Sequence, residues 1–379
     1  MSIIPCQRAL FDIPRDVAYL NTAYMSPLSH AAVAAIDRGA RMKARPWDLT
    51  IPDFYDAPDR ARALFAGLVN ADAAGVALAP SASYGIESAA RNIPLAPGRR
   101  VVLLKDQFPS HVYPWRRRAV ETGAEVFAVA APPGEDATAA VLTAIDERCA
   151  VAALPNVLWT TGARIDLAAV RRRCDETGAA LVLDLTQSAG AMVTDFAAIR
   201  PDFATAAAYK WLLGPYATGF LYVAPERRDG APLEEGWITR KDSRNFAGLV
   251  EYTDEYEPGA LRFDMGERAN FALLPGLIAA LEQLTAWGVA NIEETLAARA
   301  AGLSKRIAAL GLSPTPDVAR GPHYLSAGLP VGAPKDLLAR LAAKQVYLSE
   351  RGGALRVTPH LWNDEEDCDR LVEALASEL

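Results

Sequence analysis

The stretch DFATAAAYKWLLGPYATGFLYV, residues 202–223, decides how the rest of the chain is read. Residues 203–209 form an apolar, small-residue run that predicts a buried strand, and a Gly/Pro turn follows Lys210. Lys210 thus falls at a strand end, where an ammonium is costly to bury unless it is paired or used covalently. A lysine so placed can lose its proton and attack a carbonyl, which is the chemistry of a Schiff base. Taken alone, Lys210 also fits a side chain that snorkels out at the end of its strand.

Asp184 changes that balance. It lies 26 residues upstream in GAALVLDLTQSAG (178–190), at the C-terminal end of a second apolar run over 179–183. Ligands of open α/β sheets bind at that end of the strands. A pyridoxal phosphate cofactor needs a lysine for its aldehyde and a carboxylate for its pyridine nitrogen. A lone aspartate at a strand end is as readily a helix cap. The pair is more specific than either member.

Outward from this pair, strand-like runs recur at 100–104, 125–130, 150–154, 180–184, 203–208 and 219–223, with helical stretches such as 136–146 and 167–176 between them. Apolar strands alternating with helices predict a largely parallel sheet covered on both faces. The segment 227–265 is polar, aromatic-rich and irregular, and a loop that long is more often functional than not. A long helical pattern over about 271–310 leads into short strands at 323–329, 346–350 and 354–358 with helices at 335–344 and 364–377, a small α+β unit.

At 379 residues the chain fits a large domain and a smaller one. The net charge of −7, without a basic patch, disfavours nucleic acid as a partner. Cys6, Cys149, Cys174 and Cys368 lie far apart without a CxxC pair, which argues against a zinc site or disulfide framework and for a reducing compartment. The histidines His30, His111, His323 and His360 have no metal-ligand spacing. No apolar run reaches the roughly 20 residues of a membrane span. The expectation is a soluble, cytoplasmic protein.

With Lys210 and Asp184 placed, the chain resembles the class V aminotransferases, a family of fold type I pyridoxal-phosphate enzymes that includes cysteine desulfurases, kynureninases and isopenicillin N epimerase. The likeness runs from YLNTAYMSPL (19–28) to RVTPHLWNDEED (356–367). It implies a large domain with a mostly parallel seven-stranded sheet sandwiched by helices, and a small α+β C-terminal domain. The division expected is 1–20 as a segment on the small domain, 21–265 as the large domain and 266–379 as connecting helix and small domain. The resemblance also implies a homodimer with active sites at its interface and an amino-acid substrate.

Site residues follow by the same resemblance, and each has its own chemistry. The turn PSASYGIES (80–88) opens a helix, so Ser81, Ala82 and Ser83 suit a phosphate, although a plain N-cap serine would look alike. Phe108 matches a ring stacked on the pyridine, where a core phenylalanine is the plainer reading. Gln187 is expected near the cofactor's phenolic oxygen, and Tyr209 and Trp237 near its phosphate. Ala207 and Ala208 stand where relatives often carry a small hydroxyl residue. Arg356 matches the arginine that grips the substrate α-carboxylate, a task that suits a planar guanidinium fork. Asn21 and Tyr24 are expected beside the substrate.

Two departures stand out. Desulfurases of this family use a loop cysteine before the arginine, and no cysteine lies between Cys174 and Cys368. Cys368 itself sits in an acidic helix start, which disfavours its thiolate. In GERAN (266–270), Glu267 stands where many relatives have a threonine that reaches the neighbouring subunit's phosphate; its charge there is unfavourable unless Arg268 or another cation offsets it, so an altered dimer contact is expected, with the loop pointing elsewhere or Glu267 meeting a substrate group. The expected reaction is at the Cα of an amino acid, of aminotransferase or epimerase type. A β-lyase and a cofactor-fold binding module are the alternatives.

Overall fold

The computed structural model describes residues 2–131 and 134–379. Among them seven strands form one sheet: β1 (Val76–Leu78), β2 (Arg100–Leu104), β3 (Glu125–Val129), β4 (Cys149–Pro155), β5 (Ala180–Asp184), β6 (Phe203–Ala207) and β7 (Gly219–Val223). Their spatial order is β1-β7-β6-β5-β4-β2-β3. β7 runs antiparallel to both neighbours, so β1 to β6 all point one way. Successive side chains feed two apolar layers: Val102 and Leu104 enter one, Val101 and Leu103 the other. Each layer also holds residues of covering helices, Phe65 and Val170 on the first face and Ile86 and Trp115 on the second. Burial on both faces is why these strands read as continuous apolar runs rather than alternating ones.

Two elements differ from the expectation. β1 has only three residues, too short to show a period, and it is a strand because its backbone pairs with β7. The long helical pattern is two helices, Leu274–Trp287 and Val289–Ala308, parted at Gly288 with φ 76°. Glycine adopts that backbone angle without the Cβ clash that other residues meet.

The C-terminal part carries an antiparallel sheet of β8 (Ser313–Pro314), β9 (Leu325–Gly328), β10 (Ser349–Arg351) and β11 (Ala354–Val357), in the order β10-β11-β9-β8. Its core draws on helices Leu337–Ala343 and Glu365–Glu378 and on Ala18 and Leu20 from near the N-terminus. The N–H groups of Ala18 and Leu20 each donate to carbonyls of Gln345 and Tyr347, both at 2.9 Å. Among the described residues no helix is long and apolar enough to cross a membrane.

Candidate active site

Because β1 to β6 point one way, the turns that leave them gather at one edge of the sheet. There they enclose a cavity of ≈ 200 Å³. Ser81, Ala82 and Ser83 come from the turn after β1, Phe108 and His111 from that after β2, Asp184 and Gln187 from β5, and Tyr209 and Lys210 from β6. The lysine and the aspartate that the sequence singled out therefore share one cavity.

Lys210 is 5% exposed, and its Nζ lies 5.3 Å from the centre of the Phe108 ring and 5.4 Å from that of Tyr209. Burial pushes its pKa down to about 8, against the opposing pull of the Asp184 carboxylate; the charges of Arg356 and Arg351 push it the same way as burial. The free amine, the form that attacks a carbonyl, is thus accessible near neutral pH. Asp184 is buried, and its Oδ1 accepts the Thr186 backbone N–H at 2.9 Å.

Also lining the cavity, Ser81 caps the helix Ala82–Asn92 by accepting the Tyr84 N–H, and Ser83 Oγ donates to Ser110 Oγ at 2.7 Å. The first N–H groups of such a helix have no acceptor within it, so those of Ala82 and Ser83 are available to an anion. His111 is fully buried in the cavity wall, and neither ring nitrogen has a partner among the described residues. Burial lowers its pKa to about 4, so the ring is neutral at physiological pH.

A family model, "Aminotransferase class-V", matches residues 50–361. The chain belongs to the class-V aminotransferase family. A kynureninase of Deinococcus radiodurans is 31% identical over 69% of this chain and 64% of its own length. A probable cysteine desulfurase of Methanothermobacter thermautotrophicus is 26% identical over 96% of both chains. A solved structure of a C-DES mutant, with glycine covalently linked to its PLP cofactor, superimposes with a TM-score of 0.89 at 19% identity, over 98% of this chain and 100% of that one. The fold is that of type I pyridoxal-phosphate enzymes, and pyridoxal 5′-phosphate is the cofactor. The cavity has what such a molecule requires: an open helix N-terminus, a buried carboxylate, a buried lysine of lowered pKa and an unpartnered imidazole.

Arg356 opens a second, outer part of this class-V site, shared with Tyr24, Phe108, Trp159, Lys210 and Arg351. Its Nε and Nη2 both donate to Ser349 Oγ, at 3.0 and 2.7 Å, and Nη1 donates to the Trp159 carbonyl at 2.9 Å. A guanidinium has five N–H groups. One on Nη2 remains, and one on Nη1 that has only a 3.4 Å contact to the Tyr324 hydroxyl. Among the described residues no carboxylate pairs with this guanidinium.

Other expected site residues lie differently. Asn21 does not line the cavity; its Oδ1 accepts from Ser349 at 2.9 Å, so it reaches Arg356 through that serine. The Gln187 amide is largely engaged, donating to the Ala23 carbonyl and accepting from Trp211 Nε1, both at 3.0 Å. Trp237 lines neither part of the Lys210 site of its own chain; it is 41% exposed and packs edge-on against Phe54 and Phe246. Glu267 is exposed, and Arg268 cannot offset it because Arg268 is buried and paired with Asp264 at 2.6 Å.

His111, Trp159, Tyr216 and Arg351 line the site without having been singled out for it. Only His111 carried a local signal, three residues beyond Phe108. The cysteines lie elsewhere: Cys149, Cys174 and Cys368 are buried, with thiols pushed up to about 11, 12 and 12 mainly by burial, and Cys6 is exposed.

Proposed function

We propose that this class-V enzyme removes the Cα proton of an amino acid and returns it in the manner of an aminotransferase or epimerase. When bound, the cofactor supplies the electron sink that makes this proton removable. Lys210 would hold the cofactor through its aldehyde, and its amine, free near neutral pH, would be the base at Cα. Asp184 would hold the proton on the ring nitrogen, and Ser81, Ala82 and Ser83 would cradle the phosphate. Phe108 would stack on the ring, Gln187 would serve its phenolic oxygen and Tyr209 its phosphate. Arg356 grips the α-carboxylate, oriented through Ser349 and Asn21, while Tyr24 borders the substrate.

The observation that carries this reading is the meeting of Lys210 and Asp184 in one buried cavity beside an uncompensated Arg356. One base on one face is sufficient for transamination, whereas epimerisation needs an acid opposite. A second reading, β-lyase chemistry, is supported by the kynureninase relative and by Phe108. Incubation with a panel of amino acids separates them. Product that appears only with a keto-acid acceptor supports transamination, and solvent-deuterium uptake at Cα without other product supports epimerisation. Ammonia or pyruvate released without an acceptor shows a lyase.

The chain is proposed to divide at residues 20 and 265, which suits the burial of Ala18 and Leu20 in the C-terminal core. It is proposed to work as a homodimer in the cytoplasm. Exposed Trp47, Trp237, Val250 and Tyr252 support a covering partner, and free thiols suit a reducing compartment. Light scattering that returns a monomer mass would refute the dimer.

A further inference from the structure

Arg351 has no part in the chemistry above, yet it lies in the same outer pocket as Arg356 and Lys210. The β10–β11 hairpin places it there. Arg351 pairs across the hairpin with Ala354, and Ser349 pairs with Arg356. Side chains two apart on a strand share a face. Arg351 and Arg356 are therefore diagonal neighbours on one face, a spacing of about 7–8 Å between backbones. The turn between the strands is Gly352–Gly353, with φ of 60° and 77°, angles that let the chain reverse within two residues. Both guanidinium groups lie 5.7 Å from the centre of the Trp159 ring.

The charges around them do not balance. No aspartate or glutamate is among the residues lining this outer pocket. Arg351 makes one side-chain hydrogen bond among the described residues, to the neighbouring Glu350 carbonyl at 2.7 Å, and no ion pair. Arg356 is 1% exposed and likewise has no carboxylate partner. An α-carboxylate neutralises one guanidinium and leaves the other facing an aromatic wall. Partly buried charges are stable when paired, so the pocket is complementary to a ligand with two anionic groups.

Building on the proposed reading of Arg356, we infer that the substrate is a short amino acid with a second anionic group on its side chain, a carboxylate or sulfinate, bound by Arg351. A neutral aromatic side chain would stack on Trp159 but leave Arg351 without a counter-charge.

The test is calorimetric binding of succinate and butyrate, four-carbon acids with two carboxylates and one, to the holoenzyme. The wild type is expected to bind succinate at least about tenfold tighter, the scale of a hydrogen-bonded charge pair. Arg351→Met is expected to bring the two acids within about twofold of each other on that same scale, with butyrate affinity unchanged and Arg351→Lys intermediate. Equal binding of both acids by the wild type overturns the inference, as does an undiminished preference in Arg351→Met with unchanged visible absorbance and circular dichroism. Arg356→Met should weaken both acids alike. These readouts need no turnover, so a failure of the proposed reaction, seen in the amino-acid panel, is distinct from a failure of this inference.

Discussion

Ser349 Oγ accepts two hydrogen bonds from Arg356, at 3.0 and 2.7 Å, and donates its own hydrogen to Asn21 at 2.9 Å. A hydroxyl has one donor and two acceptor sites, so this one is fully committed. Ser349→Ala removes the groove that sets the guanidinium's orientation and leaves two buried N–H groups unpaired. The KM for the amino acid should rise about tenfold with kcat little changed, as for a hydrogen bond to a charged group. Steady-state kinetics in which kcat falls and KM does not would contradict the positioning role.

Lys210→Ala should abolish the visible absorbance of the lysine-attached cofactor and lower turnover by a factor of about 10²–10⁴, the usual contribution of a general base. Asp184→Asn should keep the absorbance but lose on the order of a hundredfold in turnover, since a neutral amide cannot hold a proton on the ring nitrogen as a carboxylate does. Retained absorbance in Lys210→Ala would remove the central assignment.

Three buried histidines make the fold sensitive to acid. Burial pushes His111 and His323 down to about 4 and His360 to about 3. The His323 Nε2 faces the Gln187 carbonyl at 2.6 Å and must carry hydrogen there, because a carbonyl only accepts. Below the unfolded value of about 6.5, the unfolded chain binds protons that the folded chain refuses. Stability is therefore full above pH 6.5 and falls as pH drops towards 4, by up to about 1.4 kcal/mol per pH unit for each histidine. Thermal melts between pH 7 and 4.5 should show a steep decline that is shallower in His360→Phe. A flat profile would count against neutral, buried rings.

Asp264 joins two buried arginines, Arg62 and Arg268, each at 2.6 Å. It also accepts the Leu78 N–H at 2.7 Å and so holds β1 in place ahead of the Ser81 turn. Asp264→Ala leaves buried Arg268 without a carboxylate partner among the described residues and Arg62 with only Asp59 at 3.5 Å, at a cost of about 3–5 kcal/mol. A melting temperature lower by several degrees, or insoluble protein, is expected. Unchanged melting would show that water enters this network.

The large-domain strands were legible because burial on both faces makes each an unbroken apolar run, as residues 100–104 and 180–184 show. β1 was not, since three residues carry no period and only β7 makes them a strand. Lys210 and Asp184 were legible because a charge that ends such a run violates the local pattern. Arg351 sat in SERGGALR with nothing to mark it, and His111 had only its place three residues beyond Phe108.

The sequence by itself determined the α/β alternation, the lysine and aspartate at strand ends, and the absence of a loop thiol before Arg356. These are short-range properties of composition and spacing. Only the tertiary structure decided that Arg351 stands beside Arg356, that Asn21 reaches it through Ser349, and that Trp237 packs against Phe54 and Phe246. The first depends on strand register, where a shift of one residue would turn Arg351 to the opposite face, and the others on packing between segments far apart in the sequence.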